Sequence, residues 1–98
     1  MSCIEIATFH LKDGVTDDAL LAIEQRVRKG QISREAGYTS RELAKDASNG
    51  EWMLVMRFET RVELDAWMAK VKTVPEMREL GALFDPRSMT TRFYESTG

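Results

Sequence analysis

Residues 51–59 read Glu-Trp-Met-Leu-Val-Met-Arg-Phe-Glu, and their pattern decides the fold. Successive side chains of a β-strand point to opposite faces. One face of this stretch carries Trp52, Leu54, Met56 and Phe58, and the other carries Met53 and Val55. A strand with one face in water alternates apolar and polar residues, whereas a strand that is buried on both faces is apolar throughout. The stretch therefore predicts a central strand that is covered on both sides.

A second strand of this kind lies near the start of the chain. Residues 3–12 are rich in β-branched and aromatic side chains and end at the turn signal Asp13-Gly14. One face of the strand carries Ala7, Phe9 and Leu11, and the other carries Ile4 and Ile6. We expect this strand to lie beside residues 51–59 at the centre of a sheet.

Two further strands, more polar than the central pair, are predicted at the edges of the sheet. Residues 38–47 lead through the turn Ser48-Asn49-Gly50 into the central strand, and residues 89–95 alternate as a last strand does. These two segments carry the polar side chains Thr39, Ser40, Arg41, Glu42, Thr90, Thr91 and Arg92. Such residues suit edge or semi-exposed positions.

The segments between the strands have helical signals. Thr16 is a predicted N-cap, and its helix is expected to fade between Gly30 and Gly37. Thr60 and Glu63 have the spacing of a capping box, which starts a second helix. The apolar stripe of that helix is Leu64, Trp67, Met68 and Val71.

Pro75 interrupts this second helical region. Proline cannot sit unstrained in a helix interior, so we expect a break near residues 73–74 and a restart with Pro75 in the first turn. The restarted helix is predicted to carry Met77, Leu80, Leu83 and Phe84. It should end at Asp85-Pro86.

This order of elements predicts a ferredoxin-like α+β fold, a βαββαβ sandwich with an antiparallel four-stranded sheet, as one domain over residues 1–98. Right-handed crossovers place both helices on one face of the sheet. The apolar side chains of the other face then need a partner, and burying each would contribute roughly 1.5–3 kcal/mol. We therefore predict a homodimer through that face. We also expect Val55→Asp to disrupt the dimer more than Arg41→Asp does.

Composition narrows the functions that are open to the chain. It has 14 Lys and Arg against 16 Asp and Glu, a net charge of -2, so no positive field attracts nucleic acid or an anionic membrane. One His and one Cys do not supply a ligand set for a zinc or copper site, and Cys3 is expected to be a buried apolar residue. Neither a membrane-spanning run nor a signal peptide is apparent, so we expect a cytoplasmic protein.

Several short motifs, spread over nearly the whole chain, point to a known family. They are the first strand ending in Lys12-Asp13-Gly14, the hairpin into Met56-Arg57-Phe58-Glu59-Thr60, and Leu64-Asp65-Ala66-Trp67 followed by a break and a proline. Together they resemble the antibiotic biosynthesis monooxygenase family of the dimeric α+β barrel superfamily. The resemblance implies two sheets packed back to back and, in many members, a ligand cavity between sheet and helices.

The resemblance also implies a function. We expect a small-molecule monooxygenase, an oxidoreductase that oxidises an aromatic or quinone-type substrate with O2 and without a cofactor. A non-catalytic small-ligand-binding domain or a dimerisation domain of the same fold is the alternative, since fold does not determine function. Haem degradation is disfavoured: Trp67 matches a tryptophan of the haem-degrading members, but Ala7 stands where they have asparagine, and no histidine lies near Met77.

Five residues are predicted to bind the substrate: Trp67, Phe9, Met56, Met68 and Phe84. The break before Pro75 is expected to open room beside Trp67, where a flat aromatic ligand would stack. The alternative is that Trp67 is a core residue and that Met68, Met77 and Phe84 fill the space.

His10 and Glu5 are the candidates for catalysis. His10 is the only histidine and therefore the natural acid or base near neutral pH, although its parity places it on the partner side, where an interface histidine is the alternative. Glu5 is expected on the helix-facing side, where burial would raise its pKa and make it a base, unless it lies at the solvent end of the strand.

Three further polar residues have less specific predictions. Arg57 is expected to approach His10 or a carboxylate of the partner, most simply as an interface ion pair. Tyr38 and Tyr94 flank the predicted edge strands and are hydrogen-bond donors that suit a quinone-like oxygen.

Overall fold

Four antiparallel strands form one sheet in the computed structural model, which describes residues 2–97. The strands are β1 (Cys3–Phe9), β2 (Tyr38–Lys45), β3 (Trp52–Phe58) and β4 (Thr90–Glu95). Their order across the sheet is β2-β3-β1-β4, so β1 and β3 form the central pair and β2 and β4 lie at the edges. The predicted ferredoxin-like α+β fold is confirmed.

The helices are α1 (Asp17–Lys29), α2 (Arg61–Lys70) and α3 (Pro75–Gly81). Thr16 caps α1, because its hydroxyl accepts a hydrogen bond from the backbone N–H of Ala19 at 3.1 Å. Thr60 caps α2 by accepting from the backbone N–H of Glu63 at 3.3 Å. A 3-10 turn over residues 71–73 follows α2, and Pro75 opens α3, so the predicted break is confirmed. None of the helices within residues 2–97 is both long and apolar enough to cross a membrane.

The core lies between the helices and one face of the sheet. Alternate residues of the central strands are buried on this face: Cys3, Ala7, Phe9, Trp52, Leu54, Met56 and Phe58. They pack against buried helical residues that include Leu20, Val27, Leu64, Trp67 and Leu80. On the opposite face, Ile6 and Val55 are half-buried and Met53 is 37% exposed in the single chain.

The largest differences from the predicted element boundaries are at the ends of β1 and α3. β1 ends at Phe9 rather than at residue 12, and Leu11 forms an isolated bridge to Phe84. α3 ends at Gly81, so Leu83 and Phe84 lie beyond the helix. The cause is a pairing between distant segments, since the backbone N–H of Lys12 donates to the carbonyl of Leu83 at 2.9 Å. This pairing brings the end of β1 against the segment that follows α3.

The prediction of a semi-exposed Arg41 is wrong. Arg41 belongs to the edge strand β2, yet it is only 6% exposed. An edge strand leaves its hydrogen-bonding groups open on one side, but its helix-facing side chains are still covered, and here Glu24 of α1 lies against Arg41. Position at the edge of the sheet therefore did not imply exposure.

Candidate functional site

A cavity of about 280 Å³ lies between the sheet and the segment that contains α2 and α3. The sheet contributes Glu5 and Ala7 from β1, Leu54 from β3 and Arg41 from β2. The remaining lining residues are Trp67, Met68, Val71, Lys72, Met77, Leu80, Gly81, Phe84 and Met89. Most of these side chains are apolar, so the cavity suits an apolar ligand with few polar groups.

Local sequence explains where the space comes from. Ala7 is the smallest buried side chain of β1 and leaves room above the sheet that a larger residue would fill. The turn before Pro75 separates α2 from α3, so no continuous helix passes over Ala7. Lys72 is exposed and Met89 is 45% exposed, so these two residues mark where the cavity meets solvent.

Trp67, Met68 and Phe84 lie on the cavity wall. Trp67 is also 1% exposed and belongs to the core, so its two interpretations are compatible. Phe9 and Met56 are not among the lining residues, but each contacts one of them. The ring of Phe9 stacks on that of Phe84 with centroids 3.9 Å apart, and the Sδ atom of Met56 accepts from Nη1 of Arg41 at 3.6 Å.

His10 and Glu5 occupy different environments. His10 lies just beyond β1 and does not line the cavity; its backbone N–H donates to Oγ of Ser88 at 2.8 Å. Glu5 does line the cavity and is 5% exposed. Burial raises the pKa of the Glu5 carboxyl above its ordinary value, and the nearby positive charge of Arg41 opposes that rise.

The predicted approach of Arg57 to His10 within one chain is wrong. In the register of the central pair, Arg57 lies opposite Ile4, six residues before His10. Six residues of a strand span roughly 20 Å, which is too far for an ion pair. Tyr38 and Tyr94 also lie away from the cavity: Tyr38 packs edge-on against Phe58 with centroids 5.9 Å apart, and Tyr94 is 47% exposed.

The sequence-based prediction missed a buried ion pair beside the cavity. Nε of Arg41 lies 2.9 Å from Oε2 of Glu24, and Nη2 lies 3.1 Å from Oε1, so the contact is bidentate. Nε of Arg28 adds a bond of 3.0 Å to the same carboxylate. The signal was present in the spacing, since Glu24 follows Leu20 by four residues and precedes Val27 by three, which places it on the buried stripe of α1.

The arrangement offers an apolar space with one carboxyl and one guanidinium group on its sheet side. A flat ligand in this space would be desolvated and would contact the ring of Trp67. Within residues 2–97, no group of three or more His, Cys, Asp or Glu side chains is placed to hold a metal ion. Through Glu5 and Arg41 the site can bind and orient a ligand, and the Glu5 carboxyl can exchange a proton with it.

Comparison with solved structures places the fold. SnoaB, a cofactor-independent oxygenase from Streptomyces nogalater, matches with a TM-score of 0.80 and 10% identity, over 99% of this chain and 94% of that chain. A candidate antibiotic biosynthesis monooxygenase from Bordetella bronchiseptica matches with a TM-score of 0.79 and 15% identity, over 98% and 97%. Rv0793 from Mycobacterium tuberculosis matches with a TM-score of 0.72 and 22% identity, over 100% and 97%.

The chain has the fold of the antibiotic biosynthesis monooxygenase-like proteins. No family model and no curated protein matches the sequence. At identities of 10% to 22%, the likeness to antibiotic biosynthesis monooxygenase-like proteins establishes the fold alone. The chemistry of the site must be argued from the residues of this chain.

Proposed function

We propose that the protein is a small-molecule monooxygenase that oxidises an aromatic or quinone-type compound with O2, without a bound cofactor, in the cavity beside Trp67. The observation that carries the proposal is this largely apolar cavity of about 280 Å³, with Glu5 and Arg41 as polar groups on its sheet side. A cofactor-independent oxygenase with the same fold supports it.

In the proposed oxidation by O2, the main task of the protein is to bind the substrate. In the overall reaction, one methylene group of an aromatic ketone and one O2 give one carbonyl group and one water. The carbon supplies all four electrons; one oxygen atom enters the carbonyl, and the other leaves as water with the two methylene hydrogens. An electron-rich substrate reacts in this way once it is desolvated and oriented, which an apolar cavity accomplishes.

The cavity volume limits the substrate. An apolar cavity of roughly 150 Å³ holds one benzene ring. The cavity here measures about 280 Å³ and opens to solvent beside Lys72 and Met89, so it has room for two fused rings with a further ring toward the opening.

We also propose that the protein works as a homodimer through the sheet face opposite the helices. On this face Met53 is 37% exposed, and Ile4, Ile6 and Val55 are half-buried. Full burial of an exposed side chain of this size contributes roughly 1.5–3 kcal/mol, and covering the part of each side chain that is still exposed would contribute a fraction of that. Light scattering at low micromolar concentration should report about twice the chain mass of 11.2 kDa.

Oxygen consumption with a panel of anthrone-type and hydroquinone compounds tests the activity. We expect Ala7→Leu to abolish consumption, because the added side chain fills the cavity. Ala22→Leu makes the same change at an exposed position of α1 and should behave as wild type.

The outcomes separate the function classes. Oxygen uptake that Ala7→Leu abolishes and Ala22→Leu keeps supports the monooxygenase. Ligand binding without oxygen uptake would instead indicate a non-catalytic ligand-binding domain. Absence of both binding and uptake would leave the dimerisation domain.

A further inference from the structure

One row of side chains on the sheet face opposite the helices begins and ends with a charge. Directly opposite residues of antiparallel strands point to the same face. In this row Glu42 of β2 lies opposite Val55 of β3. Ile6 of β1 lies opposite Val55 on one side and opposite Arg92 of β4 on the other. The row therefore has a carboxylate at one edge of the sheet, two apolar side chains at the centre and a guanidinium at the other edge.

Both charged side chains of this row are exposed, and neither has a charged partner in its own chain. None of the ion pairs within residues 2–97 involves Glu42 or Arg92. The two residues lie three strand spacings apart, roughly 14 Å, which is too far for them to pair with each other. Arg57, which shares this face, lies one row away opposite Ile4 and also forms no ion pair within that range. Glu42 and Arg92 are therefore open to charges of a second molecule.

Opposite charges at the two ends of an apolar row suit a second copy of the same chain. Two copies that pack this face together are related by a two-fold axis that lies between the sheets. Packed sheets keep their strand directions within about 30° of each other, so the axis runs either along the strands or across them. With the axis along the strands, β2 of one copy lies over β4 of the other. With the axis across the strands, β2 lies over β2 and β4 over β4.

The charges distinguish these two arrangements. Stacked sheets lie about 10 Å apart, a gap that an extended glutamate and an extended arginine together can span. An axis along the strands places Glu42 against Arg92 of the partner subunit, and the two-fold symmetry forms this contact twice. An axis across the strands places Glu42 against Glu42 of the partner subunit, so like charges repel at both edges. The apolar centres meet in either case, so the charges alone favour the first arrangement.

We propose that the partner of this face is a second copy of the chain whose two-fold axis runs along the strands, and that Glu42 of each copy pairs with Arg92 of the other. This inference rests on the proposed homodimer and adds the arrangement of the two copies and the residues that select it. The pairs lie at the rim of the interface, where an exposed ion pair contributes little affinity. Their main effect is on specificity, because a wrong arrangement or a wrong partner brings like charges together.

Charge reversal tests the arrangement. Glu42→Arg places two arginines against each other at both edges, and Arg92→Glu does the same with two glutamates. Each variant alone should therefore dimerise roughly tenfold or more weakly than wild type. In an equimolar mixture, the new arginine of one variant faces the new glutamate of the other, and the unchanged Glu42 and Arg92 form the second pair. The mixture should assemble as heterodimers with nearly wild-type affinity. Sedimentation velocity measures the dissociation constants, and native mass spectrometry resolves heterodimers from both homodimers.

Glu79→Arg and Arg26→Glu are the matched controls. Glu79 of α3 and Arg26 of α1 form an exposed ion pair on the helical side of the sheet, so the same reversals leave the proposed interface unchanged. Each control should dimerise as wild type does. Their mixture should contain only the share of heterodimers that random exchange of subunits gives.

The outcomes separate failure of this inference from failure of the proposed homodimer. A monomeric wild type would overturn both. A wild-type dimer that neither reversal weakens would overturn the Glu42–Arg92 pair while leaving the homodimer. Two weakened variants whose mixture is not enriched in heterodimers would also overturn the pair. Preferential association of Glu42→Arg with wild type would overturn the axis along the strands, because it requires Glu42 to face Glu42 of the partner subunit.

Discussion

The two faces of the sheet come from the same strands but have different surroundings. On the helix-facing side, Ala7 and Phe9 are at most 2% exposed, whereas on the other side Ile6 is half-buried and Met53 is 37% exposed. Both faces are apolar in sequence. An apolar pattern thus indicates that a surface is to be buried, but it does not say whether the cover comes from the chain's own helices or from a second chain.

The faces also differ in how they treat charge. The helix-facing side encloses Glu24 and Arg41, whose side chains are 2% and 1% exposed. Charges at this depth are tolerated because the contact is bidentate and Arg28 satisfies the carboxylate further. The most covered face of the sheet is therefore also the one that carries the polar chemistry of the cavity.

Arg41→Met should give the largest loss of stability. It leaves the Glu24 carboxylate buried with only the half-exposed Arg28 as partner, and we expect the free energy of unfolding to fall by about 3 kcal/mol. Arg26→Met removes an exposed ion pair with Glu79 and should have a much smaller effect. Urea unfolding of the two variants measures the difference, and equal losses would contradict the distinction between buried and exposed pairs.

Val55→Asp tests whether the sheet face opposite the helices is the dimer interface. In the proposed dimer, a carboxylate at this position would lie between two sheets without a partner, so we expect Val55→Asp to be a monomer at concentrations where we expect wild type to be a dimer. Arg41→Asp cannot serve as the control, because Arg41 is buried in the core. Val62→Asp makes the same change on α2 at a residue that is 78% exposed and should leave the dimer intact. Light scattering compares the three proteins; a dimer that survives Val55→Asp would show that this face is not the interface.

Trp67→Phe should weaken ligand binding with little change in fold. Phenylalanine keeps the apolar character but loses part of the stacking surface, so binding of a flat aromatic compound should fall by roughly 1 kcal/mol. Trp52→Phe is the matched control, since Trp52 is 6% exposed but does not line the cavity. Thermal melts and fluorescence titrations on both variants separate the roles. Loss of stability without loss of binding in Trp67→Phe would leave Trp67 as a core residue only.

Glu5→Gln should give the smallest effect on stability, and the size of that effect depends on pH. Burial raises the pKa of Glu5 in the folded state above its ordinary value of 4.5, so the folded chain binds this proton more readily than the unfolded chain does. The charged carboxylate therefore destabilises the fold above the raised pKa, and the penalty disappears below 4.5, where both states are protonated.

The variant should thus be more stable than wild type at neutral pH, and the gain should vanish in acid. Urea unfolding at both pH values measures it, with Glu59→Gln as the exposed control. A gain of equal size in acid would mean that the charge of Glu5 is not its cause.

Part of the cavity could be predicted from the sequence. The stripe on α2 and the break at Pro75 place Trp67 and Met68 beside an open space, and both residues line the cavity. Phe9 and Met56 have the correct parity but do not line the cavity, because parity determines the face of a strand and not which neighbours cover a side chain. Arg41 was missed, since the polar character of β2 indicated exposure.

The sequence by itself determined the order of strands and helices, the caps at Thr16 and Thr60, the break at Pro75 and the apolar character of both sheet faces. These features depend on residues within a few positions of each other, so periodicity and capping chemistry suffice to predict them. Only the tertiary structure decided that Arg41 reaches Glu24, 17 residues away, and that Phe84 stacks on Phe9. Such contacts depend on strand register and on the distance between separate elements, which the local pattern of a sequence does not encode.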